Sequence, residues 1–310
     1  MATLKERPED FLVFEVLHPT FDEKGSYGYF LLKKKNWSGF EALEQLSLKS
    51  RLKLRDFGFA GLKDKRAVTE QHLSVPRHAV ETLQKIKIRD LDLTFLGYGK
   101  ERIVLGMLEG NKFRITVRDL PAEKKLQIKI VRNYFDKQRF GSKTVAIGRA
   151  IVQQDFERAC QLHGLEVPDK NYIAALRKIH RRILRFYISS YQSWMWNTVV
   201  EQLPDEVKHV PLLGYLTSFD DKKVEKLYTT LLKKEDITLD NFLMKPFPEL
   251  SSEGNDRKTF FMVKDFSSRW EWDELHPRMK KCVLEFFIPK GCYATLVVKQ
   301  LFPEVTDASM

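Results

Sequence analysis

Strand-patterned segments occupy both ends of this chain and helix-patterned ones its middle, an order that a single run of strands or helices does not produce. Near the N-terminus, "FLVFEV" after "RPED" is rich in β-branched and aromatic residues, and the proline ahead of it can only open a strand. "YGYFLLKKKN" reads as a second strand. "AVTEQHLSV" alternates Val68, Glu70 and His72 with Thr69, Gln71 and Leu73, which suits a third. A β-rich stretch, "LDLTFLGYGKERIVLGMLEGNKFRITVRDL", follows, with Gly106, Gly110 and Asn111 marking bends or a hairpin turn. Strand character returns only in "CVLEFFI", which turns at "PKG" into a closing helix with Ala294, Val297, Val298 and Leu301 on one face.

Helical spacing marks the remainder. At "NWSGFEALEQLSLKSR", Ser38 precedes Glu41 in a capping-box pattern and Phe40, Leu43 and Leu46 repeat at helical intervals. "EKKLQIKIVRNYFDKQRFG" is expected to be a helix running into a loop. Residues 150–203 are expected to be helical, with Leu184, Tyr187, Ile188, Tyr191, Trp194, Met195 and Val199 forming one apolar core stripe. From Pro204 to about Arg269 the chain is polar and turn-rich, as at the periphery of an accessory domain. The expectation is an α+β domain whose last strand returns to the first sheet, interrupted by an insertion.

Composition narrows the partner. The 310 residues (36.5 kDa) are enough to bury an active site. With 53 Lys/Arg against 42 Asp/Glu, 43% hydrophobic and 12% aromatic residues, this is a folded basic protein and not a disordered basic tail. Residues 121–190 hold 15 Lys/Arg and 6 Asp/Glu, interleaved with Tyr and Phe and lacking a lipid-type amphipathic signature. Nucleic acid is therefore favoured over a membrane as the partner, with a merely soluble lysine-rich surface as the plain alternative.

Cys160, Cys282 and Cys292 share no metal spacing and fit a reducing compartment, and no run approaches the roughly 20 apolar residues of a membrane helix, so the cytoplasm is the default. There is no P-loop, no dinucleotide fingerprint, no serine elbow and no histidine pair at metal-binding helical spacing. Neither metal nor cofactor is expected.

What remains is "FAGLKDKRAVTEQ", where Asp64 stands between Lys63 and Lys65 in a loop that feeds a strand, a position where a sheet can hold a catalytic group. Such a carboxylate can act as nucleophile or base, and the two lysines would keep it ionised and attract a phosphate-bearing substrate. The plain alternative is a solvated Lys-Asp-Lys turn.

This segment resembles the signature of the TruD family of pseudouridine synthases, of the form G-x-K-D-[KR]-x-A-x-T-x-Q, met by Gly61, Lys63, Asp64, Lys65, Ala67, Thr69 and Gln71. "KERPEDFLVFE", "GMLEGNKFRITVR", "NYFDKQRFG", "SSYQSWMWNTVV" and "IPKGCYATLVVKQL" resemble the same family in the same order across almost the whole chain. The resemblance implies a catalytic domain with a mixed, mainly antiparallel sheet flanked by helices, at about residues 1–141 and 269–310. It implies an inserted TRUD domain at about 142–268, in which the helix near 184–203 is a candidate to pack on the catalytic sheet. It further implies isomerisation of uridine to pseudouridine in RNA, with transfer RNA position 13 as the expected target, Asp64 as the essential aspartate and no cofactor.

Around a flipped uridine, the matched positions suggest Phe135 as the apolar neighbour of the base and Asn133 as a hydrogen-bonding group. Phe11 and Tyr293 are further aromatic candidates, with a core-strand role as the alternative for Phe11, and Tyr293 stands where the family has phenylalanine. Lys5 is expected to pair with a phosphate or with the active-site carboxylate, Lys63 to assist Asp64, and Arg139 to clamp phosphate. "RKIHRRILR" is expected to follow the RNA backbone. The expected partner is RNA, above all transfer RNA, with no membrane and a monomer as the default. The rival readings are an RNA-binding or RNA-folding protein with a vestigial synthase site and, more weakly, a basic RNA hydrolase.

Overall fold

The computed structural model describes residues 2–141 and 143–308, with every side chain among them except that of Gln138. In chain order its elements are β1 (Thr3–Leu4), β2 (Phe11–Val16), β3 (Tyr27–Lys35), α1 (Gly39–Ser50), β4 (Gly58–Phe59), β5 (Val68–Pro76), α2 (Val80–Gln84), β6 (Leu91–Gly99), β7 (Gly110–Leu120) and β8 (Ile130–Arg132). Then come α3 (Thr144–Val152), α4 (Phe156–His163), α5 (Tyr172–Arg177), α6 (Arg181–Val200), β9 (His209–Leu212), α7 (Lys222–Lys234), β10 (Asn255–Lys258) and β11 (Phe260–Met262). The chain ends with β12 (Lys264–Trp272), β13 (Lys280–Pro289), α8 (Ala294–Leu301) and β14 (Thr306–Asp307).

These elements fall into a first unit, Met1–Val131 with Phe261–Met310, and a second, Arg132–Phe260. The division expected from sequence, at 141/142 and 268/269, lies some eight to ten residues further along the chain and involves Ser142, which is outside the described residues.

The first unit is built on one mixed sheet with strand order β12-β13-β7-β2-β5-β3-β6, to which β1, β14 and β4 attach. All neighbours run antiparallel except β2 with β5 and β1 with β14. The returning strand β13 pairs along β7 from Lys280↔Leu120 to Pro289↔Gly110. Gly110 allows that approach, because a Cβ there would stand 2.2 Å from the Ile288 carbonyl oxygen. No β6–β7 hairpin forms: Gly110 and Asn111 open β7, which lies between β13 and β2 while β6 is at the far edge.

Strand parity puts one sheet face under helices. Phe11, Val13 and Ala67 join Ile115, Val117 and Leu284 beneath Val297, Val298 and Leu301 of α8. On the same face, Phe30, Leu32, Leu73 and Val75 pack under Ala42, Leu43 and Leu46 of α1 and Val80 and Leu83 of α2. Each of the buried Val, Leu, Ile and Phe side chains contributes about 1.5–3 kcal/mol. The α1 box forms as its sequence predicts: Glu41 N–H donates to Ser38 Oγ at 3.1 Å and Ser38 N–H donates to Glu41 Oε2 at 2.9 Å. Phe40, in the first turn, instead faces solvent at 39% exposure, so the buried stripe runs through Ala42, Leu43 and Leu46.

The second unit is mainly helical, with α3 packed on α6 and α4 on α3. Of the expected α6 stripe, Leu184, Ile188, Tyr191, Met195 and Val199 are buried, whereas Tyr187 and Trp194 are only half-buried. Residues 204–258 are less peripheral than their polarity suggests: α7 buries Val224, Tyr228 and Leu231, and Val210, Phe242, Met244 and Phe247 are buried beside loops. Lys264–Trp272, read as part of that polar stretch, is a strand of the first unit's sheet. The expected helix in "EKKLQIKIVRNYFDKQRFG" is also absent. Residues 123–129 are irregular and Ile130–Arg132 is a strand, with Ile130 exposed and Val131 buried in the alternation of extended chain.

Candidate active site

The two apolar clusters on the sheet face meet at a polar strip. β2 and β5 pair with Val13 beside Thr69, and β3 and β5 with Lys34 beside Thr69 and Leu32 beside Gln71. The parity that buries Phe11 and Val13 also points Glu15 inward, and Lys34, Thr69 and Gln71 are buried on the same face. Loop 61–67, which carries Asp64, is anchored to this strip.

Four ties hold the loop. Lys34 Nζ donates to the Asp64 carbonyl at 2.8 Å and to the Trp37 carbonyl at 2.6 Å. Lys63 Nζ meets Glu15 Oε2 at 2.5 Å, and Lys65 Nζ meets Glu41 Oε1 of the α1 capping box at 2.7 Å. Arg66 donates from Nη1 to the Ala308 carbonyl at 2.6 Å and from Nη2 to that of Glu6 at 3.1 Å. Asp64 is thereby presented with its side chain 52% exposed on a fixed backbone.

The cation that faces the Asp64 carboxylate is neither of its sequence neighbours. It is Lys5, whose Nζ lies 3.5 Å from Asp64 Oδ2 and 3.6 Å from Asp307 Oδ2 while its side chain is only 3% exposed. Lys5 sits 4.4 Å over the Phe11 ring and has a left-handed backbone, φ 59°. That conformation costs a non-glycine residue about 1–2 kcal/mol. The expected charge support from Lys63 and Lys65 is thus redirected, since each is matched by its own carboxylate.

The carboxylate under Lys63 is itself engaged. The β2–β5 ladder ends at Phe14↔Glu70, and Glu15 Oε1 accepts the His72 N–H at 2.9 Å with His72 Nδ1 at 3.4 Å. Burial acts to raise the Glu15 carboxyl, but His72 and Lys63 outweigh it and hold it below its ordinary value. Burial brings the Lys34 ammonium down to about 8 against the pull of Asp64. Among the described residues Thr69 Oγ1 and Gln71 Oε1 are buried without a hydrogen-bond partner, a cost of about 1–3 kcal/mol each that apolar residues would not carry.

A separate network braces β1 and β2 from below. Buried Arg118 grips Asp10 through Nε and Nη2 at 2.8–3.1 Å and also reaches Asp273 at 2.8 Å and Glu274 at 2.9 Å. Glu15, Lys34, His72 and this network are not apparent from motif spacing alone. The available signal was parity: an acid on the core side of "FLVFEV" and the middle lysine of "KKK" both point inward.

Of the residues expected at the site, the structure gathers Lys5, Phe11 and Lys63 around Asp64. Phe11, at 2% exposure and edge-on to Phe113, is a core residue that supports Lys5. Tyr293 is in the same unit, half-buried at the head of α8. Asn133, Phe135 and Arg139 belong to the second unit. There Asn133 Nδ2 donates to the Lys258 carbonyl at 3.0 Å, and its Oδ1 accepts from Arg257 at 2.8 Å. The Phe135 ring is edge-on to Trp196, with the Arg257 guanidinium 4.0 Å from its centroid. Arg139 Nη2 donates to Ser189 Oγ at 2.9 Å. Among the described residues no His, Cys, Asp and Glu cluster could hold a metal ion, and no helix is long and apolar enough to cross a membrane.

The family description "tRNA pseudouridine synthase D (TruD)" matches residues 1–165 and 205–301. The chain belongs to the TruD family. A protein named probable tRNA pseudouridine synthase D from Methanosarcina mazei is 28% identical, with 96% of this chain and 92% of that one covered. The tRNA pseudouridine synthase D of Aquifex aeolicus is 28% identical, with 96% and 97% covered. A crystal structure of a candidate TruD from Methanosarcina mazei superposes with a TM-score of 0.72 at 25% identity, covering 97% of this chain and 93% of that one. The first match runs over 404 aligned positions against 310 residues here, so that TruD relative carries segments this chain lacks.

Proposed function

We propose that this TruD-family chain isomerises uridine to pseudouridine in transfer RNA, at position 13, with the Asp64 carboxylate as the catalytic group and no cofactor. The observation that carries the reading is the half-exposed Asp64 carboxylate on a loop tied down at four points, with buried Lys5 as its counter-ion. In the reaction the C1′–N1 bond breaks, the uracil turns, and C1′ bonds to C5. The C5 proton is lost and N1 gains one, so nothing is oxidised or hydrolysed overall.

A carboxylate beside the sugar can attack C1′ or take a proton from the sugar, and both require it ionised. Lys5 places a buried ammonium 3.5 Å from that carboxylate. Within the first unit this reading puts Lys63 and Phe11 behind Asp64 and Lys5 and makes Tyr293 a base contact; for the second unit, taken by itself, it makes Phe135 and Asn133 base contacts and Arg139 a phosphate contact.

The test is Asp64→Asn on unmodified tRNA, reading binding and product together. The expected outcome is binding within a factor of two or so of wild type and product formation lowered by about 10³-fold or more. Equal product from both proteins would remove Asp64 from the mechanism. Wild-type binding with no product on any tRNA would favour an RNA-binding protein with a vestigial site. Mapping pseudouridine in cells with and without the gene tests position 13 separately.

A further inference from the structure

The second unit carries a run of cations with no acid among them in the sequence. From Lys170 to Val200 there are six Lys/Arg and no Asp or Glu. Five of the six, Arg177, Lys178, Arg181, Arg182 and Arg185, gather where α5 ends and α6 begins, and all are exposed. Among the described residues, no ion pair joins Arg177, Lys178, Arg181 or Arg185 to a carboxylate. Arg177 and Arg185 instead donate to the Pro246 and Glu249 carbonyls, which orients them without neutralising them.

Helix stability accounts for Arg177 and Lys178, which close α5, but not for the arginines that open α6. The first turn of α6 holds no acid, and Arg181, Arg182 and Arg185 lie at the positive end of its dipole, where cations are unfavourable. A function that needs positive charge accounts for residues that folding disfavours. Phe186 adds an exposed ring to the same ridge, with the Arg139 guanidinium 5.4 Å from its centroid.

We propose that this α5–α6 corner is a phosphate-backbone docking face for the substrate RNA. It takes a polyanion and not a membrane, because the apolar stripe of α6 is buried in its own unit and leaves only Ile183 and Phe186 exposed beside the arginines. The face reads no bases; it adds affinity and salt dependence. This inference rests on RNA being the substrate, but it concerns binding and not the isomerisation.

The test compares Lys178→Ser/Arg181→Ser with a charge-matched control, Lys85→Ser/Lys87→Ser, an exposed pair on the first unit. Binding of an unmodified tRNA transcript is measured from 50 to 300 mM KCl, with thermal midpoint and product formation read on the same proteins. The expected result is about tenfold weaker binding at 150 mM and a log–log salt slope reduced by about 1.8, close to 0.9 per lost phosphate contact. Turnover at saturating tRNA should be unchanged, and the thermal midpoint close to that of wild type, because removing Arg181 from the start of α6 offsets the loss of Lys178 from the end of α5.

Wild-type affinity and slope in the α5–α6 variant, or an equal loss in the control, would overturn the proposal. So would a variant that loses binding to phosphatidylserine vesicles but not to tRNA. If wild type binds tRNA through these residues yet makes no pseudouridine, the docking face stands and the proposed reaction falls.

Discussion

The two units use charge in opposite ways. Around Asp64 the first unit buries its lysines and matches them: Lys63 with Glu15, Lys5 with Asp64 and Asp307, and Lys34 with two carbonyls. At the α5–α6 corner the second unit exposes Arg177, Arg181 and Arg185, which among the described residues pair with no carboxylate. Buried pairs fix geometry, and breaking one is costly because the survivor is stranded. Exposed cations add little to stability but act over a Debye length of about 8 Å at physiological salt. Substitutions in the first unit should therefore alter stability and turnover, and those in the second should alter affinity and its salt dependence.

The largest effect should come from the deepest network. Arg118→Met leaves Asp10 and Asp273 buried without their guanidinium and should cost about 3–5 kcal/mol in urea denaturation. A loss below about 1 kcal/mol would mean that burial contributes little to this pairing, weakening the contrast. Next, Glu15→Gln keeps an acceptor for the His72 N–H but loosens Lys63. Turnover should fall by about 10- to 100-fold with tRNA affinity unchanged, since a displacement of about 1 Å can cost that much. A rise in KM at constant kcat would instead place Glu15 in binding.

A pH series sharpens the comparison. Lys34 titrates near 8 when folded, below its unfolded value of 10.5, so the unfolded chain holds the extra proton between those limits. The cost of burying its charge is fully present below pH 8 and is relieved as pH rises toward 10.5, so this group makes stability rise across that window. Lys34→Met should remove that rise, measured as the difference in denaturation midpoint between about pH 7.5 and pH 10. The smallest effect is expected from Thr69→Val, which deletes an unpartnered buried hydroxyl. It should raise stability by about 1 kcal/mol while slowing turnover; a gain in both would leave that hydroxyl without a role.

Much of the architecture is legible residue by residue. The alternation in "AVTEQHLSV" gives β5, the Ser38–Glu41 spacing gives the start of α1, and the apolar stripe from Leu184 to Val199 gives α6. Where the reading failed, local polarity or turn residues competed with tertiary placement. Gly110 looked like a hairpin turn because glycine favours turns, whereas here it permits close approach to β13. "KLYTTLLKK" looked peripheral because its surface is charged, yet α7 buries one face.

By itself the sequence determined the strand-rich ends, the helical middle, the excess of cations and the placing of Asp64 in a loop before a strand, because these follow from short-range periodicity and composition. The family resemblance left Lys5 to pair with a phosphate or with the carboxylate, and the sequence set Lys63 and Lys65 beside Asp64; the tertiary structure decided among these cations. Lys63 and Lys65 adjoin it in the chain, but neighbours on a non-helical backbone point apart, toward Glu15 on β2 and Glu41 on α1. Lys5, 59 residues away, arrives through the pairing of β1 with β7 and β14 and a left-handed turn over Phe11. Strand register, which no local pattern encodes, brings that ammonium to the carboxylate.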